Sequence, residues 1–439
     1  MEKIKFKIGV FALGAMLVIG GPVLADESSN NMMDTMMPSM KEGGIFLNPS
    51  PVLGQMEIMD VDMQMVMPFA QPHMPMTMLM LHGYSFFETV AEEGNRGRAD
   101  FSAPNMFMAD LGTTLDDHQY LNLDVMLTSD LWTVPPTGTP ELLQIGENQA
   151  NGQPFIDAQH PHSSPLMGLT LSDTFSLADE DKSALKLFAA PRGESTDGPI
   201  SYMHRITGMV NPDTPLGHHI GQDVGHISST VLGESLKLGS FHIESSVFNG
   251  SEPNPTQVDL PIGPINSVAV RAIEEFSPQV MFMASYAWVG TPEPGIANDQ
   301  RYSASLYTHI PLNDSMTFHN TLVYGGITNI DNVSSLNSFL DELLIQSGVA
   351  SVFARIEVLQ RTPNELGISG LPNGDTGQWV NAFTLGYSHQ VAAWDGWELR
   401  AGLSITNDQL PADYQPTYSG NPFSYKFFFQ LGGTQAYQL

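Results

Sequence analysis

The chain has 439 residues, no cysteine and a formal net charge of −30. So large an excess of carboxylates argues against nucleic acid as a partner and in favour of metal cations. With no disulfides, stability must come from elsewhere, as it would in a barrel whose backbone hydrogen bonding closes on itself.

Lys3, Lys5 and Lys7 precede an apolar run from Ile8 to Gly20, and Val23-Leu24-Ala25 supplies small or apolar cleavage positions. Residues 1–25 therefore read as a secretory signal peptide cut after Ala25. The run is short for a spanning helix, and no later run has that length.

Residues 26–75 form a methionine-rich, low-complexity leader. It carries Met32-Met33, Met36-Met37, Met40, Met56, Met59, Met63, Met65, Met67 and Met74, with His73 close by. Pro68, Pro72 and Pro75 interrupt regular structure near its end. Thioethers are soft ligands that suit Cu(I), although methionine also serves as flexible apolar filler.

From Met78 onward the chain repeats short alternating segments. Trp397, Leu399, Ala401, Leu403 and Ile405 share one face, opposite Glu398, Arg400, Gly402, Ser404 and Thr406. Val280, Phe282, Ala284, Tyr286 and Trp288 repeat the pattern. Period two with one apolar face predicts half-buried strands. They fall near 78–88, 100–111, 119–130, 165–177, 183–190, 225–234, 238–249, 266–276, 279–290, 301–310, 315–325, 338–346, 350–360, 378–390, 396–406 and 423–432. Tight connections, as at 115–117, 178–181, 277–278 and 312–314, alternate with long ones at 131–164, 192–224, 251–265, 326–337, 361–377 and 408–422. Alternating connection lengths and aromatics near strand ends (Trp288, Tyr324, Trp379, Tyr387, Trp397) predict an all-β fold. The expectation is an antiparallel transmembrane barrel of about sixteen strands, within a range of twelve to sixteen. It would occupy 76–439, sit in outer-membrane lipid of a Gram-negative bacterium, and admit a homo-oligomer. The tail after 432 departs from the usual aromatic end.

The opposite faces would line the lumen, placing Asn122, Asp124, Met126, His242, Glu244, Arg271, Arg355, Glu357, Glu398 and Arg400 inside. Met106, Met108, Met281 and Met283 join them, either as a soft-metal path or as packing against a plug.

Between residues 153 and 226 lie six of the thirteen histidines: His160, His162, His204, His218, His219 and His226. They sit on two loops that leave the same end of the predicted 165–190 hairpin, so they are expected to converge at the long-loop rim or inside the lumen. Imidazole, carboxylate and thioether together suit a transition metal, copper or zinc. The candidate metal ligands are those six histidines with Asp157, Asp223 and Met203. The competing reading is a fold-back loop plugging the pore, its histidines paired to carboxylates. No four-ligand set with zinc-site spacing can be read from the sequence.

The string Asp157…His160-Pro161-His162, the triplet Met203-His204-Arg205, and Pro215-Leu216-Gly217-His218-His219 with Asp223 and His226 resemble a family of uncharacterised bacterial outer-membrane barrel proteins. That family is associated with copper and heavy-metal resistance settings. The likeness spans about 78–432. The family usually has Asp after His-Pro-His, where this chain has Ser163, so one candidate ligand is missing. The resemblance implies an architecture and no enzymatic activity.

No Gly-x-Ser-x-Gly elbow, Walker loop, dinucleotide fingerprint or His-Glu-x-x-His is present, and the chain is not expected to be an enzyme or to hold an obligatory cofactor. The expected function is a channel or receptor handling transition metal. The alternative is a general porin or a structural barrel with a plugged lumen and no metal role.

Overall fold

A computed structural model of the chain describes residues 77–439, apart from 117, 178–182, 261, 293–297, 314, 329–334 and 395. The signal peptide, the methionine-rich leader and the 178–181 turn lie outside the described residues.

The first strands are β1 (Thr77–Glu92), β2 (Ala99–Ser102), β3 (Asn105–Asp116) and β4 (Gln119–Leu127). A small hairpin, β5 (Thr139–Asn148) and β6 (Pro154–Gln159), rides in the next loop. Then come β7 (Leu166–Ser176), β8 (Ser183–Gly193), β9 (Ser228–Leu238), β10 (Phe241–Asn249), β11 (Ser267–Ser277) and β12 (Val280–Gly290). The remainder are β13 (Asn298–Asn313), β14 (Met316–Thr328), β15 (Ser335–Ser347), β16 (Ala350–Arg361), β17 (Gln378–Trp394), β18 (Trp397–Gln409) and β19 (Phe423–Gln438). Seventeen of these form one antiparallel sheet. Strands β2 and β3 pair with different stretches of β1 and share one position, so the barrel has sixteen. It closes where β1 meets β19, from Met78↔Gln438 to Glu92↔Ser424.

All sixteen predicted strands are present. Several boundaries shift: the 119–130 strand stops at Leu127, and the 225–234 strand runs Ser228–Leu238. The C-terminal one changes most. Residues 432–438 do not trail the last strand but complete it, and they carry the closing ladder from Tyr84↔Gly432 to Met78↔Gln438. Alternation is weak there because Gly432, Gly433 and Thr434 carry little side chain, whereas backbone pairing needs none. The β5–β6 hairpin was not foreseen, since its pairing is broken by irregularities at Pro140/Ile145 and Ile145/Asn148.

The outward faces are apolar. Phe383, Leu385 and Tyr387 are 40%, 57% and 40% exposed, while the intervening Ala382, Thr384 and Ser388 are buried. The pattern recurs at Leu403, Phe427 and Phe429. A band of this size is an adhesive surface in water and an ordinary one in lipid. Among the described residues, no helix is long and apolar enough to cross a membrane, which says nothing against strands doing so.

The lumen is filled. The loop between β8 and β9, residues 194–227, turns inward and is buried along nearly its whole length. Thr196 bonds Ser246, and the Gly198 N–H donates to Ser285 Oγ. The Ile200 N–H donates to Tyr307 Oη, and the Leu216 N–H to Glu357. Arg205 Nε and Nη2 both donate to Glu342 at 3.1 Å, and Arg355 Nη2 joins the same carboxylate at 3.0 Å. Lys426 Nζ reaches Asp213 Oδ1 at 2.6 Å and Glu88 Oε2 at 3.2 Å. The plug thus touches walls from β10 round to β19. Its Met203 and Val210 meet Met106, Met108, Met126, Phe353 and Phe428 in an apolar core. The inward methionines therefore pack against the plug. A second core, from Leu143, Leu216, Leu366, Leu410 and Tyr418 among others, caps the long-loop rim.

Gly221 shows how closely the plug lies on the wall. Its φ is +67°, and a Cβ there would fall 2.6 Å from the backbone N and O of Gly326 on β14. Next to it, Ser338 Oγ donates to the Ile220 carbonyl at 2.8 Å. Gly221→Val should destabilise plug docking by about 2 kcal/mol or more, because a β-branched residue is strained at positive φ and the wall has no room. Faster proteolysis within 194–227, in a barrel that still shows heat-modifiable gel migration, is the expected readout.

Candidate metal centre

The hairpin β7–β8 positions the site. The loop before β7 brings His160 and His162, and the plug after β8 brings His218, His219 and His226. A distorted helical turn over His218–Gln222 packs on β14 and sets two consecutive imidazoles against the first loop. All five rings meet at the long-loop end of the lumen. Ring centroids of His218 and His219 are 4.5 Å apart, those of His218 and His226 4.9 Å, and those of His160 and His162 5.3 Å. His160 and His219 are 5.6 Å apart by the same measure. Four of these residues, His160, His218, His219 and His226, are buried, and His162 is partly buried. A cavity runs beside them, walled also by Glu147, Glu252, Ser163, Arg192 and Met167.

The ring nitrogens face specific groups. His162 Nε2 lies 3.2 Å from His226 Nε2. His226 Nδ1 sits 2.7 Å from the Asp223 carbonyl, so its proton belongs on Nδ1 and its lone pair on Nε2. His162 Nδ1 is 3.6 Å from Asp130 Oδ2, and His218 Nδ1 is 3.6 Å from Asp223 Oδ2. His160 Nε2 lies 3.0 Å from Glu147 Oε2. Oxygen behind a ring's far nitrogen, as at His226 Nδ1 and His162 Nδ1, is the arrangement that orients metal-binding histidines.

Burial keeps His160, His219 and His226 neutral. It pushes His226 down to about 3, against the pull of Asp223. His160 and His219 are likewise held well below the usual imidazole range, first by burial and then by neighbouring imidazoles. Burial would raise the Asp223 carboxyl, but the His218 contact, helped by Arg205, outweighs it and leaves it lowered. Burial lifts Glu252 to about 8 despite Arg301. Neutral rings offer lone pairs without first losing a proton, which favours metal ligation.

Three donor groups satisfy the spacing a metal ion needs, with ligand atoms within 4.8 Å of one another: His160–His218–His219, His218–Asp223–His226 and Glu147–His219–Glu252. The structure thus brings together His160, His162, His218, His219, His226 and Asp223. Met203 is close, walling a neighbouring cavity with His160 and His162. Two expected ligands lie elsewhere. His204 Nε2 pairs with Glu194 Oε1 at 3.0 Å and faces a different cavity, beside Met126, Lys186 and Arg271. Asp157 adopts a φ of +55° and accepts from Leu143 N–H, Tyr418 Oη and Arg96 Nη1, at 2.9, 2.8 and 2.8 Å. It ties the rim loops together. Asp157→Asn should cost about 1–3 kcal/mol of loop docking through lost charge-assisted bonds, and leave zinc affinity unchanged. Protease nicking in 139–159 against a zinc titration would separate the two effects.

Asp130, Glu147 and Glu252 were not foreseen. Asp130 ends a predicted strand, Glu147 lies on β5 and Glu252 on the loop after β10, and nothing in local sequence sets them apart from other acids in an acidic chain.

No family model matches the chain, and no curated protein does. Solved structures do match. Salmonella typhi OmpF in complex with daunomycin aligns over 80% of this chain and 97% of its own, at 10% identity and a TM-score of 0.50. OmpT, an outer membrane protein of Vibrio cholerae, aligns over 81% and 97%, at 9% identity and 0.44. Pseudomonas aeruginosa OpdL aligns over 82% and 99%, at 9% and 0.39. The first of these likenesses supports the barrel fold, and only the fold.

Proposed function

We propose that this chain is an outer-membrane barrel, closed by its own plug, that captures a transition-metal cation at its long-loop rim. The outward apolar band and the short-turn and long-loop rims support the membrane setting. The observation that carries the metal reading is the convergence of five histidines with Asp223, Glu147 and Glu252 from three separate loops. Neutral imidazole with carboxylate suits Zn(II) or Cu(II), and the methionines below suit Cu(I). This accords with a handling or resistance role for copper-type metals rather than free diffusion of solutes.

A second reading has its own support. The apolar core across the lumen and the Arg205–Glu342–Arg355 cluster account for a docked plug without any ion. On that reading the barrel is structural. Titration of the detergent-folded full chain with Zn(II) discriminates them. Saturable binding abolished by substitutions in the cluster supports metal capture, and absence of any cluster-dependent binding leaves the structural barrel.

A further inference from the structure

We propose that the histidine cluster takes two transition-metal cations side by side, each on its own set of three protein donors; this rests on the metal reading above. The argument starts from size. Zinc and copper bind imidazole nitrogen and carboxylate oxygen at about 2.0–2.2 Å, so two donors of one ion lie at most about 4.4 Å apart. His218, Asp223 and His226 meet a 4.8 Å limit among themselves, and so do Glu147, His219 and Glu252. The two triads share no residue, and they do not merge into one group at that spacing. A third triad, His160–His218–His219, bridges them. One ion placed at the bridge would leave the outer donors on both sides unused.

The other two histidines flank the sets without joining either at that spacing. His162 Nε2 lies 3.2 Å from His226 Nε2, beside the first set of His218, Asp223 and His226. His160 Nε2, 3.0 Å from Glu147 Oε2, stands beside the second set of Glu147, His219 and Glu252. The first has two imidazoles and one carboxylate, the second one imidazole and two carboxylates.

Two buried atoms show that the network is not complete in itself. Among the described residues, His219 Nε2 and Glu252 Oε2 have no hydrogen-bond partner. Glu252 Oε1 is held by Arg301 Nη2 at 3.0 Å, so the bare oxygen is fixed in place. A buried polar atom left without a partner is unfavourable, and both belong to the second set, where a cation would engage them together.

Equilibrium dialysis of the folded full chain against Zn(II), with zinc counted by elemental analysis, tests this. Zinc is the probe because the leader's thioethers prefer softer ions. Folding of each variant is scored by heat-modifiable migration. His226→Ala should lower saturating zinc by one equivalent, His219→Ala with Glu252→Gln by another, and all three together by two. If either variant loses the same single equivalent and the combination loses no more, the site holds one ion and the proposal is overturned. If no variant loses zinc, the metal reading falls as well. Cu(II) loading gives an independent readout: a half-field electron paramagnetic resonance signal from a coupled pair in the natural chain, absent in either half-set variant. Its absence from a fully loaded natural chain would also overturn the proposal.

Discussion

Arg205→Ala is expected to undock the plug without opening the barrel wall. Arg205 is fully buried and donates through Nε and Nη2 to Glu342, and through Nη1 to the Ile200 carbonyl at 2.8 Å. Glu342 also receives Arg355 and Thr207 Oγ1. Removing one partner of a buried ion pair costs about 3–5 kcal/mol, because the group left behind is desolvated and undercompensated. That is a shift of about 10²–10³-fold or more in the ratio of docked to undocked plug. The wall is a separate, closed ladder, so the loss falls on the plug. Planar-bilayer recordings should show frequent openings for the variant against a quiet natural barrel, and residues 194–227 should become protease-sensitive. Arg205→Lys should lie between, since an ammonium keeps the charge and loses the fork. Natural conductance and proteolysis in the alanine variant would mean that the apolar core alone seats the plug.

The second large effect is on metal affinity. His162→Ala with His226→Ala should lower zinc affinity at the His218–Asp223–His226 donors by more than about 100-fold, beyond the 10–100-fold that removal of an orienting partner typically costs. The same pair should leave the barrel folded, because both rings sit on loops and neither pairs with a wall strand. His204→Ala is the control. It faces Glu194 in another cavity and should not change zinc affinity. Equal losses in the two variants would show that zinc sits elsewhere.

These contrasts mark how much the sequence disclosed. The strands were legible because an outward apolar band imposes period two on each, and the closing tail was the one stretch where glycines erased that period. The convergence of the two histidine loops was legible because both leave one end of the β7–β8 hairpin. Inclusion of His204 and Asp157 followed from the same proximity along the chain. Their actual partners, Glu194, Arg96 and Tyr418, are set by where the loops fold. Glu147 and Glu252 were illegible for the complementary reason. Glu147 arrives from β5 and Glu252 from the loop after β10, and only tertiary packing makes them neighbours of His160 and His219. The depth of the plug was hidden too, since its wall contacts run through backbone groups and through Gly221 against Gly326, and a sequence pattern does not record them.

The most direct test of the account is the zinc K-edge X-ray absorption spectrum of the folded full chain loaded with Zn(II). The account predicts a nitrogen and oxygen shell at about 2.0–2.1 Å with imidazole multiple scattering, lost when His160, His162, His218, His219 and His226 are all replaced by alanine. A shell of water-type oxygen with no imidazole signature, unchanged by those substitutions, would contradict it.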